Sequence, residues 1–177
     1  MIKNVSKYII IILLFSINQG FSAGNSGNDG VGSIEPKTSI SKSPKKINTY
    51  KTAEKKILKA KKLEKKGKDK KAIKLYQEAL DYLYKANKEK PFDPDILNYL
   101  GFANRKVNNF EDAEIYYVMG LEIDPNHIGI NEYLGELYVA TNRMELAKER
   151  LEVLANCNCE EYTELKEVIA GSKKSKY

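Results

Sequence analysis

The sequence predicts an all-α fold, an array of antiparallel helical hairpins stacked one on the next. Three observations lead there. Residues 94–127 laid over residues 128–161 match at a constant offset of 34, with Tyr99 on Tyr133, Leu100-Gly101 on Leu134-Gly135 and Ala113 on Ala147. Each block holds two stretches whose apolar residues fall three and four apart, as Leu97 and Leu100 do, which is the helical period. A short polar turn divides the stretches, Val107-Asn108-Asn109 in one block and Thr141-Asn142-Arg143 in the other. A two-helix unit of this length cannot bury its apolar face alone, so copies must stack.

Taken in chain order, residues 1–23 read as a secretory signal. Lys3 and Lys7 precede a ten-residue uncharged run at 8–17, and small residues follow at Gly20, Ser22 and Ala23. That run fits a signal core and is too short to span a bilayer. The chain is therefore expected to be exported, to the periplasm first and the extracellular space second. Residues 24–46 read as a flexible linker, with four Gly, several Ser, Pro36 and Pro44, and only Val31, Ile34 and Ile40 as aliphatics. Such a stretch buries too little apolar area to offset its ordering entropy. Residues 47–177 carry the helical domain.

The first hairpin spans about 53–91, with Leu63, a turn at Gly67, then Ala72, Tyr76, Ala79 and Leu80. Ala72 to Ala113 is 41 residues, so this unit carries a longer second helix through Tyr82-Leu83-Tyr84 to about Asn87. The second hairpin, 94–127, has Leu97, Leu100-Gly101 and Ala103, then Phe110, Ala113, Tyr117, Gly120 and Leu121, and stops at Asp124-Pro125-Asn126. The third, 128–161, matches more loosely through Leu134-Gly135, Tyr138, Ala147, Leu151 and Leu154, with Asn131 at a large-apolar position. A capping helix at about 160–171 places Tyr162, Leu165, Val168 and Ile169 on one stripe. These residues resemble the tetratricopeptide repeat (TPR) family, and the whole resembles a short exported bacterial TPR protein of about three repeats and a cap. Gly101, Ala113, Gly120, Gly135 and Ala147 are expected where the two helices of a hairpin approach most closely, since larger side chains there would overpack the site.

The resemblance implies a ligand surface, the concave face formed by the first helices. Carried over by repeat position, it takes Asn98, Tyr99, Phe102 and Arg105 from the second unit and Glu132, Tyr133, Glu136 and Val139 from the third. Lys61 and Glu64 would come from the first. Tyr99, Tyr133 and Phe102 would form an aromatic strip for an extended peptide or a helix. The family's carboxylate-gripping set is not matched, because Tyr99, Tyr133 and Gly129 stand at its polar positions.

Composition excludes several other functions. With 177 residues the chain makes one ordinary domain. It is 42% hydrophobic, too apolar for a wholly disordered chain, yet no apolar run is long enough for a polytopic membrane protein. Two Cys and one His cannot build a tetrahedral zinc site, and no phosphate loop or nucleophile elbow occurs. No metal, cofactor or catalysis is expected. Glu111-Asp112-Glu114 complement a helix dipole, and His127 reads as a solvated loop residue.

The net charge of +6 conceals a basic block, residues 35–71 at net +11, and an acidic block, residues 72–177 at net −6. Lys61, Lys62, Lys65 and Lys66 form a basic surface that could meet an anionic envelope surface. An exported chain is not expected to meet nucleic acid. Cys157 and Cys159 leave three readings open: a structural disulfide or inert thiol, a redox pair made reducible by the strain of so short a loop, and a Cu(I) site. The function expected first is a non-catalytic scaffold in the cell envelope binding an unidentified protein or peptide. The alternatives are a thiol-dependent redox or Cu(I)-binding protein and a basic envelope tether.

Overall fold

A computed structural model describes residues 48–175. The signal segment and the linker expected at 1–46 lie outside the described residues. Seven helices follow in order: α1 (Thr49–Glu64), α2 (Asp69–Glu89), α3 (Pro94–Lys106), α4 (Phe110–Ile123), α5 (Ile128–Ala140), α6 (Met144–Leu154) and α7 (Glu160–Ile169). They pair as hairpins α1/α2, α3/α4 and α5/α6, and α7 packs on both α5 and α6. The first helices also touch in rank, α1 on α3, α3 on α5 and α5 on α7, so together they form one continuous face. This is the all-α array of stacked antiparallel hairpins that the sequence predicts. No helix among the described residues is long and apolar enough to cross a membrane.

Local chemistry sets where each helix starts. Asn48 caps α1, its Oδ1 accepting from the Lys51 amide at 2.9 Å. Asp93 caps α3 by accepting from the amides of Asp95 and Ile96, and Pro94 stands at the first helical position, where a missing N–H costs nothing. α5 is capped by His127, whose Nδ1 accepts from the Ile130 amide at 3.2 Å. His127 is thus a structural cap and not the solvated loop residue expected. With Nδ1 accepting, the ring proton sits on Nε2, which faces Asp95 Oδ1 on α3 at 3.2 Å.

The turns inside the three hairpins share one construction. A residue with left-handed backbone ends each first helix: Gly67 at φ +65°, Asn108 at +66° and Asn142 at +58°. In each turn the following amide reaches back to a carbonyl five residues earlier, Lys68 to Leu63, Asn109 to Asn104 and Arg143 to Tyr138. Glycine and asparagine are the residues that adopt this conformation at least cost.

The core runs along the stack. Ala53, Ile57 and Ala60 of α1 meet Ala72, Tyr76, Ala79 and Leu83 of α2, and Leu97, Leu100 and Phe102 of α3 join them. Ala113, Tyr117, Ile130, Leu134, Leu137 and Ala147 continue it. Each large side chain buried here contributes about 1.5–3 kcal/mol. Small residues sit at close approaches, but two of them face a different neighbour from the one expected. A Cβ on Gly101 would enter the Tyr117 ring, 2.7 Å from Cζ, so this glycine does admit its hairpin partner α4. A Cβ on Gly120 would strike Ile130 Cδ1 on α5, across the repeat boundary. One on Gly135 would come 2.6 Å from Leu165 of α7 and only 3.3 Å from Arg150 Cβ on its own partner α6. Gly120 and Gly135 therefore set the spacing between repeats.

Candidate functional site

The first-helix face gathers side chains from three successive hairpins. Phe102 of α3 lies at its centre, 1% exposed. Its ring meets Tyr133 of α5 at 5.2 Å between centroids and Tyr76 of α2 at 5.8 Å. Lys61 of α1 sets its ammonium 4.3 Å above the Phe102 ring and 3.4 Å from the Tyr133 hydroxyl. Lys106 lies 5.4 Å from the Tyr76 ring and pairs with Glu64 at 2.6 Å. Glu64 also accepts from the Tyr76 hydroxyl at 2.9 Å. Cations over aromatic faces gain most when desolvated, and the Lys106 side chain is only 6% exposed.

Beside this cluster lies a buried ion pair. Arg105 Nη2 of α3 meets Glu136 Oε2 of α5 at 2.8 Å, with the two side chains 2% and 0% exposed. Arg105 Nη1 also donates to the backbone carbonyl of Tyr133. Burying two charges is expensive, so such a pair is retained only with good geometry and further hydrogen bonds. It bolts α3 to α5 in one register. Glu132, one turn before Glu136, is buried too.

Burial governs the protonation of the cluster. It pushes the Tyr76 phenol far above its ordinary value, and the hydrogen bond to Glu64 adds to this. Burial raises Tyr99 likewise. It lowers the Lys106 ammonium, and the Glu64 carboxylate pulls back against that shift. Phenols held neutral in this way serve as stacking and hydrogen-bonding groups.

The ten residues expected on the ligand surface fall into two layers. Lys61, Glu64, Asn98, Tyr99, Tyr133 and Val139 are partly exposed, while Phe102, Arg105, Glu132 and Glu136 are buried. Tyr99 and Tyr133 do not pair as a strip with each other. Tyr99 meets Tyr50 of α1 edge-on at 5.7 Å, and Tyr133 meets Phe102. Asn98 stands against Gly129, where an added Cβ would come 2.8 Å from its Nδ2. Of the four lysines of the basic surface, Lys61 belongs to the aromatic cluster, and Lys62, Lys65 and Lys66 remain exposed. Sequence reasoning missed Tyr50 and Lys106, and treated Tyr76 only as packing. For Lys106 the available signal was its place beside Arg105 at the end of the same helix.

Cys157 and Cys159 are joined by a disulfide, their Cα atoms 5.2 Å apart, with Asn158 between them at φ +51°. Cys157 is only partly buried and is bonded, so it is not an inert core thiol. The bridge sits in the turn from α6 into α7. With both sulfurs in one bond, Cu(I) could bind only after reduction.

No protein-family model and no curated protein matches the chain. Among solved structures it is similar to one described as the first TPR of Spaghetti (RPAP3) bound to the HSP90 peptide SRMEEVD. The identity is 23% and the TM-score 0.45, over 71% of this chain and 96% of that one.

Proposed function

We propose that this chain is a non-catalytic interaction scaffold of the cell envelope, exported through residues 1–23, that presents its first-helix face to a protein or peptide partner. One observation carries the reading. Lys61, Phe102 and Tyr133 come from α1, α3 and α5, three different hairpins, yet converge within 6 Å of one another. Rigid stacking preorganises that surface, so little ordering entropy remains to be lost when a partner docks. Tyr99 and Tyr133 form its accessible rim, and the buried Arg105–Glu136 pair holds the rim in register.

The test is capture from a native envelope extract on tagged residues 24–177, beside the same bait carrying Tyr99→Ala and Tyr133→Ala. Both baits must first show equal helicity by circular dichroism. A protein held by the first and lost from the second is the expected result. Capture that ignores the substitutions defeats the reading. Capture that falls steeply with salt, and with Lys62→Gln, Lys65→Gln and Lys66→Gln, would point instead to an electrostatic tether.

A further inference from the structure

We propose that residues 171–175, which follow α7, fold back across the first-helix face and close it in cis, so that a partner must displace them to dock. The inference rests on the reading of that face as the partner surface. Four observations on described residues support it. Gly171, at φ +70°, breaks α7 and turns the chain, and the amides of Ser172 and Lys173 both return to the Glu167 carbonyl at 3.1 and 3.2 Å. Lys173 Nζ then lies 3.3 Å from Glu164 and 3.5 Å from Glu167, which lays the segment along α7. Ser175 reaches furthest. Its hydroxyl donates to Glu136 Oε2 at 2.8 Å and accepts from Arg105 Nη2 at 2.9 Å, bridging residues 39 and 70 positions away. Finally, the charges are complementary. Lys173 pairs with Glu164 and Glu167 on a side of the face that also carries the buried Glu132 and Glu136 of α5.

The geometry describes a latch and not a lock. Lys174 is exposed, and Lys173 and Ser175 are only partly buried, so the segment adds few apolar contacts that would hold it permanently. It persists because its tether is short, and a short tether supplies a local concentration in the millimolar range. A partner's apparent affinity then falls by the fraction of chains that stand open. A partner able to displace the latch would present the same chemistry, a hydroxyl flanked by lysines, to the Arg105–Glu136 pair.

The test compares the full chain with a chain ending at Gly171 and with Ser175→Ala. Amide resonances of the ¹⁵N-labelled proteins are expected to shift on α3 around Arg105 and on α5 around Glu136 when the segment is removed, and Ser175→Ala should reproduce part of that pattern. Shifts confined to α7 and its end overturn the inference. A fluorescein-labelled peptide of residues 171–177 is expected to bind the shortened chain at least tenfold more tightly than the full chain. Equal affinity for the two, or binding to neither, also overturns the closure. The reading of the face as a partner surface fails on a different measurement, capture that is unchanged by Tyr99→Ala and Tyr133→Ala.

Discussion

Helices α3 and α5 bury eight residues each, while α4 and α6 bury three and two. Among the eight are Asn104 and Arg105 on α3, and Asn131, Glu132 and Glu136 on α5. On the outward pair, Ile115, Val118, Leu146 and Val153 stand exposed, Ile115 at 55%. Polarity and burial thus run opposite to the simple rule. The reason is position in the stack. α3 and α5 each contact a first helix on either side as well as their own partner, so most of their faces are covered whatever side chains they carry. Polar groups caught there must find partners. Asn104 donates to the Leu100 carbonyl at 3.0 Å, and Asn131 to the carbonyls of Pro125 and His127. The lesson is that a repeat array assigns burial by helix rank before it assigns it by hydropathy.

The contrast is sharpest at the charged pairs. Arg105→Ala or Glu136→Ala strands a buried charge and is expected to cost about 3–5 kcal/mol, read by guanidinium denaturation followed by circular dichroism. Lys148→Ala, which removes the exposed Lys148–Glu145 pair on α6, should cost less than about 1 kcal/mol in the same assay. Equal losses at the two sites would abolish the distinction. Next in size, Gly101→Ala forces the Tyr117 ring aside and is expected to destabilise by about 1–3 kcal/mol. Thermal melts would detect it, and unchanged stability would mean that α3 and α4 can slide apart freely.

A smaller effect is expected at the start of α5. His127→Ala should cost about 1 kcal/mol, and His127→Asn should recover most of it, because asparagine also accepts from the helix amides. If the two variants lose the same amount, the cap is not what His127 contributes. Smallest of all, Ile115→Gln on α4 should stay within about 0.5 kcal/mol of the parent despite losing a large apolar side chain. A loss above 1.5 kcal/mol there would show that the outward face is covered in solution.

Much of this was legible in the sequence where the physics is local. The turns at Gly67, Asn108 and Asn142 rest on backbone conformations that a few residue types favour, and they recur with the repeat. The start of the second hairpin at 94 was placed correctly, and the cap that fixes it, Asp93 accepting from the amides of Asp95 and Ile96, is equally local although it was not read. The pairing of Cys157 with Cys159 was one open reading among several, because spacing brings the thiols together without stating their oxidation. His127 was misread, since its role depends on an amide three residues on and on a carboxylate of another helix.

What the sequence determined by itself was the unit: two helices, a left-handed turn, and a repeat of 34 that obliges units to stack. Period, caps and turns are short-range properties, set by side chains acting on their own backbone. Only the tertiary structure decided the register between units. It turned Gly120 and Gly135 toward the next repeat, sent Tyr99 to Tyr50 and Tyr133 to Phe102, buried Arg105 against Glu136, and brought Ser175 to both. These contacts join residues of different helices, and the closing of each depends on how the neighbouring helices that carry them have packed.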